Sequence, residues 1–306
     1  MIQGQKILLG ILFVLFSWYL QGEHQSETTE SGSGITVTNE RPSSYSLPHT
    51  EVRTLRSLET GVNYVLYISL PAQYNQTTRE YPVLFLLDAD YSFAIAHNVV
   101  EHFTQRNNLA GIILAGIAYR GKSQDMEIYR KNRVRDYTPS HVDSGVYSDE
   151  ISAYSGGGQA FLRFINNELI PYLAGHFRIA DERGIVGHSL GGYFATYTLI
   201  HSPATFNRYI IVSPSLWYDD HMIFRTDYSE LTSFTESEIT VFFGVGSHEN
   251  QPGRGWPMVD DMLRMADELR DLDHDNLEVH AEVFPDEIHN SIFPAAFTRG
   301  VRIVYD

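Results

Sequence analysis

The stretch that decides the fold reads Gly184-Ile185-Val186-Gly187-His188-Ser189-Leu190-Gly191-Gly192-Tyr193-Phe194-Ala195-Thr196-Tyr197-Thr198-Leu199-Ile200. It opens with a short apolar strand sequence, passes through the string G-x-S-x-G, and ends in a run that reads as a helix. A serine between a strand end and a helix start sits on a sharp turn, and flanking glycines remove the Cβ atoms that would clash there. The helix behind it presents backbone N–H groups and the positive end of its dipole to a developing oxyanion. The string alone is weak evidence. Its strand-and-helix context predicts that Ser189 is a nucleophile.

Working outward, strand-like and helix-like segments alternate. Residues 63–70 (NYVLYISL) alternate and are rich in β-branched and aromatic side chains. Residues 82–87 (PVLFLL) and 111–119 (GIILAGIAY) are continuous apolar runs, as in strands covered on both faces. Residues 185–187, 209–213, 240–245 and 278–284 continue the series, and helical periods fill 92–103, 160–176, 189–201, 259–272 and 295–304. Repeated β-then-α order predicts an α/β fold, with a mostly parallel central sheet and helices on both faces. Residues 120–157 show little periodicity and are too long for an ordinary connection, which predicts a binding loop or lid.

Composition narrows the chemistry. The 306 residues carry 22 Lys+Arg and 38 Asp+Glu, a net charge of −16, with 43 % hydrophobic residues. That content fills a sizeable core and is unlike a disordered chain. So acidic a chain lacks the positive field that holds phosphates, so no nucleic-acid partner is expected. There is no Cys, which excludes disulfides, zinc–thiolate sites, iron–sulfur clusters, a cysteine nucleophile and a lipidated N-terminal cysteine.

Lys6 precedes the apolar run 7–20 (ILLGILFVLFSWYL), a basic-then-apolar pattern that fits an export signal better than a spanning helix of about 20 residues. Gly22 is an acceptable small residue before a cleavage point, while Leu20 fits poorly, so an uncleaved membrane anchor stays open. The expected organisation is a signal peptide over 1–22, a Ser/Thr/Glu/Gly-rich linker over 23–39 and one domain over 40–306, in a periplasmic or secreted protein.

Several ordered motifs carry a resemblance. Tyr81-Pro82-Val83-Leu84-Phe85-Leu86-Leu87-Asp88, Arg135-Asp136-Tyr137-Thr138-Pro139, GHSLGG at 187–192, Ser213-Pro214-Ser215-Leu216-Trp217 and the tail 284–306 appear in that order. With them the chain resembles the putative-esterase family of α/β-hydrolases, which includes siderophore (enterochelin) esterases, feruloyl esterases, S-formylglutathione hydrolases and mycolyltransferases. The nearest likeness is to the bacterial branch beside the siderophore trilactone esterases, and it covers essentially everything after the linker. One motif departs: the family usually has Asp-Gly where this chain has Asp88-Ala89.

The resemblance implies an α/β-hydrolase fold and the order serine, acid, histidine. His289, after the last strand in Asp286-Glu287-Ile288-His289-Asn290, matches the family's histidine. Glu249, after the strand 240–245, matches the acidic position of this branch. Asp260 and Asp261 lie close by, and a Ser–His dyad without an acid is a further alternative. The oxyanion hole is expected from the N–H of Leu190 and, by family analogy, that of Asp90, whose carboxylate must then point away. Tyr91 lies in the same loop. Trp217 resembles the family's pocket aromatic, with a plain core tryptophan as the alternative. His188 is expected to shape the pocket. Arg120, Arg133 and Arg135 could meet an anionic group or pair with acids. His97 and His102, five apart, fall on different faces of a helix and are unlike metal ligands.

The expected function is hydrolysis of a carboxylic ester on a small molecule, through an acyl-enzyme on Ser189 with His289 as general base and no cofactor. An acyltransferase would use the same residues, and a catalytically silent binding protein would keep the scaffold alone.

Overall fold

The computed structural model describes residues 44–106, 108–120, 125–251 and 256–305. The expected export segment and linker lie outside the described residues. The elements of the compact unit Leu47–Asp306 follow in chain order: β1 (Thr50–Arg56), β2 (Asn63–Ser69), β3 (Tyr81–Leu86), α1 (Ala89–Gln105), β4 (Ile113–Tyr119), α2 (Met126–Tyr137), α3 (Asp149–Ser152), α4 (Gly158–Phe164), α5 (Ile170–His176) and β5 (Ile179–His188). Then come α6 (Leu190–His201), β6 (Arg208–Val212), α7 (Tyr218–His221), α8 (Ser229–Ser233), β7 (Ile239–Gly246), β8 (Asn250–Gln251), β9 (Trp256–Pro257), α9 (Met258–Arg270), β10 (Leu277–Phe284) and α10 (Phe293–Tyr305). A π-type turn, Ile165–Leu169, joins α4 to α5.

The main sheet has the order β1-β2-β4-β3-β5-β6-β7-β10. β2 is antiparallel to both its neighbours, and every pairing from β4 to β10 is parallel. The short strands β8 and β9 form a separate antiparallel ribbon.

Alternation along each strand builds two cores. Val83, Phe85 and Leu87 face one layer, while Leu84 and Leu86 face the other. The same split holds for Tyr209 and Ile211 against Ile210 and Val212, and for Val241 and Phe243 against Phe242. Helices α1 and α10 cover the second layer, and α2, α4, α6 and α9 lie over the first. Strands buried on both faces need apolar side chains at every position, which is why they read as continuous runs. Gly116 on β4 lets α1 lie close, because a Cβ there would meet Ala89 and Phe93.

Two segments differ from the sequence expectation. Residues 120–157 contain the helix α2 and the turn α3 rather than an irregular loop. α2 shows no apolar stripe because its buried positions include Arg133 and Asp136, which are neutralised by partners instead of replaced by apolar residues. β1 went unread because it is an edge strand with an exposed middle, TEVRTLR. Among the described residues, no helix is long and apolar enough to cross a membrane.

Because the strands share a direction, their carboxyl ends share a rim. The loops after β3, β5, β6, β7 and β10 all meet there, bringing together residues 88, 189, 215, 249 and 289.

Candidate active site

Ser189 stands between β5 and α6 with φ 61° and ψ −120°, a conformation that costs a non-glycine residue about 1–3 kcal/mol. Hydrogen bonds hold it there. Its N–H donates to Val212 O at 3.0 Å, and its carbonyl accepts from Tyr193 N at 2.9 Å and Ser215 N at 3.0 Å. Gly187 is required by the turn, since a Cβ on it would collide with the backbone carbonyl of Gly191. The Ser189 hydroxyl lies 3.3 Å from that of Ser215.

Glu249 follows β7 and is 1 % exposed. Its Oε1 accepts from the Ser213 hydroxyl at 2.6 Å and from Gly246 N–H at 2.7 Å. Its Oε2 sits 2.6 Å from His289 Nδ1. A buried carboxylate held by two donors presents a fixed acceptor to one ring nitrogen, leaving Nε2 as the other. The nearby acids have other partners: Asp260 Oδ1 accepts from Asn250 Nδ2 at 3.0 Å, and Asp261 pairs with His221.

The loop after β3 turns at Asp88, which is left-handed at φ 51° and precedes α1. Arg133 Nε reaches both Asp88 oxygens, at 2.8 and 3.0 Å, and Tyr129 donates to Oδ1 at 2.7 Å. Arg133 also donates to His188 O at 2.9 Å and to the Tyr147 hydroxyl at 2.7 Å. Burial opposes the guanidinium charge, but Asp88 outweighs that and keeps Arg133 protonated. One side chain therefore ties the α1 turn to the residue before Ser189.

The Asp90 carboxylate turns to Tyr119 N–H at 3.3 Å and to the Tyr67 hydroxyl at 3.5 Å. Its backbone lies at the first turn of α1, and Leu190 opens α6. His188 packs between Tyr91, Phe293 and His289. Burial, then the neighbouring His289 and Arg133, hold its pKa well below the ordinary imidazole range, so it is neutral.

The site opens on a cavity of about 590 Å³, which Asp90 does not line. Ser189, Leu190, Glu249, His289, Tyr91, His188 and Trp217 all line it. Trp217 stacks on Trp256 with ring centroids 5.0 Å apart and planes 14° apart, and Met258 continues that wall.

Two arginines expected at the substrate are elsewhere. Arg120 is exposed at the end of β4 and does not line the cavity. Arg135 is drawn to the buried Asp136 at 2.7 Å and to Asn132. Arg133 lines the cavity instead, since two positions along α2 turn a side chain to the far face. Tyr129, Tyr147, Ser215 and Trp256 also border the site without having been anticipated. Only Ser215 carried a signal, inside the Ser-Pro-Ser-Leu-Trp motif.

The family model described as "Putative esterase" matches residues 57–300. Ferri-bacillibactin esterase BesA of Bacillus subtilis is 28 % identical over 292 residues, covering 91 % of this chain and 95 % of that protein. The siderophore triacetylfusarinine C esterase of Aspergillus fumigatus is 27 % identical over 302 residues, covering 87 % and 97 %. The crystal structure of an IroE-like serine hydrolase from Shewanella oneidensis superposes with a TM-score of 0.73 at 27 % identity, covering 84 % of this chain and 80 % of that one. The architecture is the α/β-hydrolase fold.

Proposed function

Because the chain belongs to this esterase family, we propose that it hydrolyses a small-molecule carboxylic ester through an acyl-enzyme on Ser189. His289 Nε2 takes the hydroxyl proton as Oγ bonds to the carbonyl carbon. Glu249, on Nδ1, fixes the tautomer and stabilises the imidazolium. The N–H groups of Leu190 and Asp90 stabilise the oxyanion. The imidazolium then gives its proton to the departing alcohol, and water, activated by the same imidazole, releases the acid. These steps call for no cofactor.

The observation that carries this reading is the 2.6 Å contact between His289 and the buried Glu249, inside the cavity that also holds the strained Ser189. A nucleophile on a half-buried elbow, a base and a fixed acceptor are the parts that acyl transfer to water needs. Siderophore esters are the proposed substrate class, supported by the two relatives named for such substrates and by the Trp217–Trp256 and Tyr91 surfaces, which suit flat rings.

The test is a fluorophosphonate probe followed by mass spectrometry, run beside a panel of siderophore lactones and simple acyl esters. Labelling on Ser189 with turnover of at least one ester is expected. A folded protein that neither labels nor turns over any ester would leave a binding protein on a hydrolase scaffold. Action outside the cytoplasm is part of the proposal and rests on Lys6 with the apolar run 7–20. N-terminal sequencing of protein from its native host tests it, with a start near Glu23 expected.

A further inference from the structure

Three consecutive non-glycine residues just beyond Trp217 are left-handed: Asp219 at φ 50°, Asp220 at φ 49° and His221 at φ 59°. Such a run is costly, because each Cβ crowds the following carbonyl, and it persists only where neighbours over-determine it. Two sets of contacts do so. Arg225 Nη1 donates to Asp220 O at 2.5 Å, and Nη2 lies 3.5 Å from Asp219 O. His221 Nε2 lies 3.0 Å from Oδ2 of Asp261, a residue only 5 % exposed in the first turn of α9.

The ends of that bridge matter. His221 closes the segment that carries Trp217, and Asp261 belongs to the helix that begins at Met258, directly after Trp256 and Pro257. The bridge therefore joins the two segments that supply the stacked indoles. Trp217 is two residues past Ser215, whose hydroxyl is 3.3 Å from that of Ser189. A shift of the left-handed turn would thus be felt at the cavity wall beside the nucleophile. Burial pushes the Asp261 carboxyl up, while His221, and behind it Arg264, favour its charged form and Asp260 opposes it.

We propose that His221 and Asp261 are positioning residues that hold the Trp217–Trp256 pair as one flat wall, and that this wall sets how well an ester with an aryl acyl group is bound. The claim rests on the reading of the cavity as the ester site. Its first consequence, the stacking itself, does not depend on turnover.

The experiment uses His221→Ala and His221→Gln in the full chain. Glutamine keeps a donor that can reach Asp261; alanine does not. Stacked indoles whose in-plane transition moments are twisted against each other give an exciton couplet in circular dichroism, and two of the three tryptophans of the chain form this pair. His221→Ala is expected to weaken the couplet. It should also raise KM for vinyl benzoate by roughly three- to tenfold, the range of one stacked aromatic contact, with a smaller effect on kcat and on the KM for vinyl acetate. His221→Gln should restore both. An unchanged couplet, or equal losses on both esters, would overturn the proposal. Asp261→Ala, which removes the acceptor of the bridge, gives the same readings if His221→Ala does not fold. If the wild-type protein turns over no ester while the couplet still responds to His221, the ester reading fails and the positioning role of the pair stands.

Discussion

Arg133 closes on Asp88 through both carboxylate oxygens, at 2.8 and 3.0 Å, with side chains 6 % and 3 % exposed. The pair links α2 to the turn before α1, and its remaining donors reach His188 O and Tyr147. Removing one partner strands a buried charge. Arg133→Ala should therefore cost about 3–5 kcal/mol of folding stability, read as a lowered urea midpoint. Arg133→Met combined with Asp88→Asn should recover much of that loss, since no lone charge is left.

Ser189→Ala should abolish ester turnover and fluorophosphonate labelling with the fold intact. A residual rate within about tenfold of wild type would remove Ser189 from the mechanism, because a nucleophile contributes orders of magnitude more. Ser189→Gly should be equally inactive yet more stable than Ser189→Ala by about 1 kcal/mol, since glycine occupies φ 61°, ψ −120° without a Cβ clash. Comparing the two thermal midpoints checks this.

Glu249→Gln keeps the shape and removes the charge beside His289. The amide also offers an N–H to a site built from donors, Ser213 and Gly246 on one side and the imidazole on the other. A fall in kcat of roughly 10²–10⁴ is expected, with KM little changed. Asp260→Asn, whose parent carboxylate meets Asn250 instead, should leave kcat within about twofold. A silent Glu249→Gln would make the site a Ser189–His289 dyad.

His188 gives folding a pH dependence of definite sign. Its folded-state pKa is depressed, first by burial and then by His289 and Arg133. The unfolded chain therefore binds the extra proton first. The stability it contributes is fully present above about pH 6.5, the unfolded value, and is lost as pH falls towards the folded pKa. The wild type should lose stability faster than His188→Leu as pH falls below about 6.5, with a slope difference that approaches about 1.4 kcal/mol per pH unit near about pH 5.5. Matching slopes in denaturant titrations from pH 7 to pH 5 would show that His188 is not the group responsible.

Sequence and structure agree where one rule acts alone. The strands 82–87 and 209–213 are apolar on both faces because both faces are covered, and periodicity reports that directly. The elbow was legible because Gly187 and Ser189 obey a steric demand that few residues meet. α2 was not legible, because its buried side includes Arg133, whose partner Asp88 lies 45 positions away. No window over α2 contains that partner, so the helix shows no continuous apolar stripe. The same distance hid the choice among Arg120, Arg133 and Arg135, which depends on the rotation of a helix that periodicity did not find. Trp256 and Tyr147 were missed for a related reason: a lone aromatic in a two-residue strand or a loop has no pattern to belong to.

The rim where the parallel strands end has an evolutionary consequence. Each loop there starts from a strand whose register is already fixed by its neighbours, so a loop can change in length or residue type while the sheet still folds. Variation is then cheapest at Trp217, Trp256 and Tyr147, which shape the recess, and most constrained at Gly187, where any side chain would displace the turn. Selection acting on such a molecule can exchange one ester for another in single steps while its reaction chemistry stays the same.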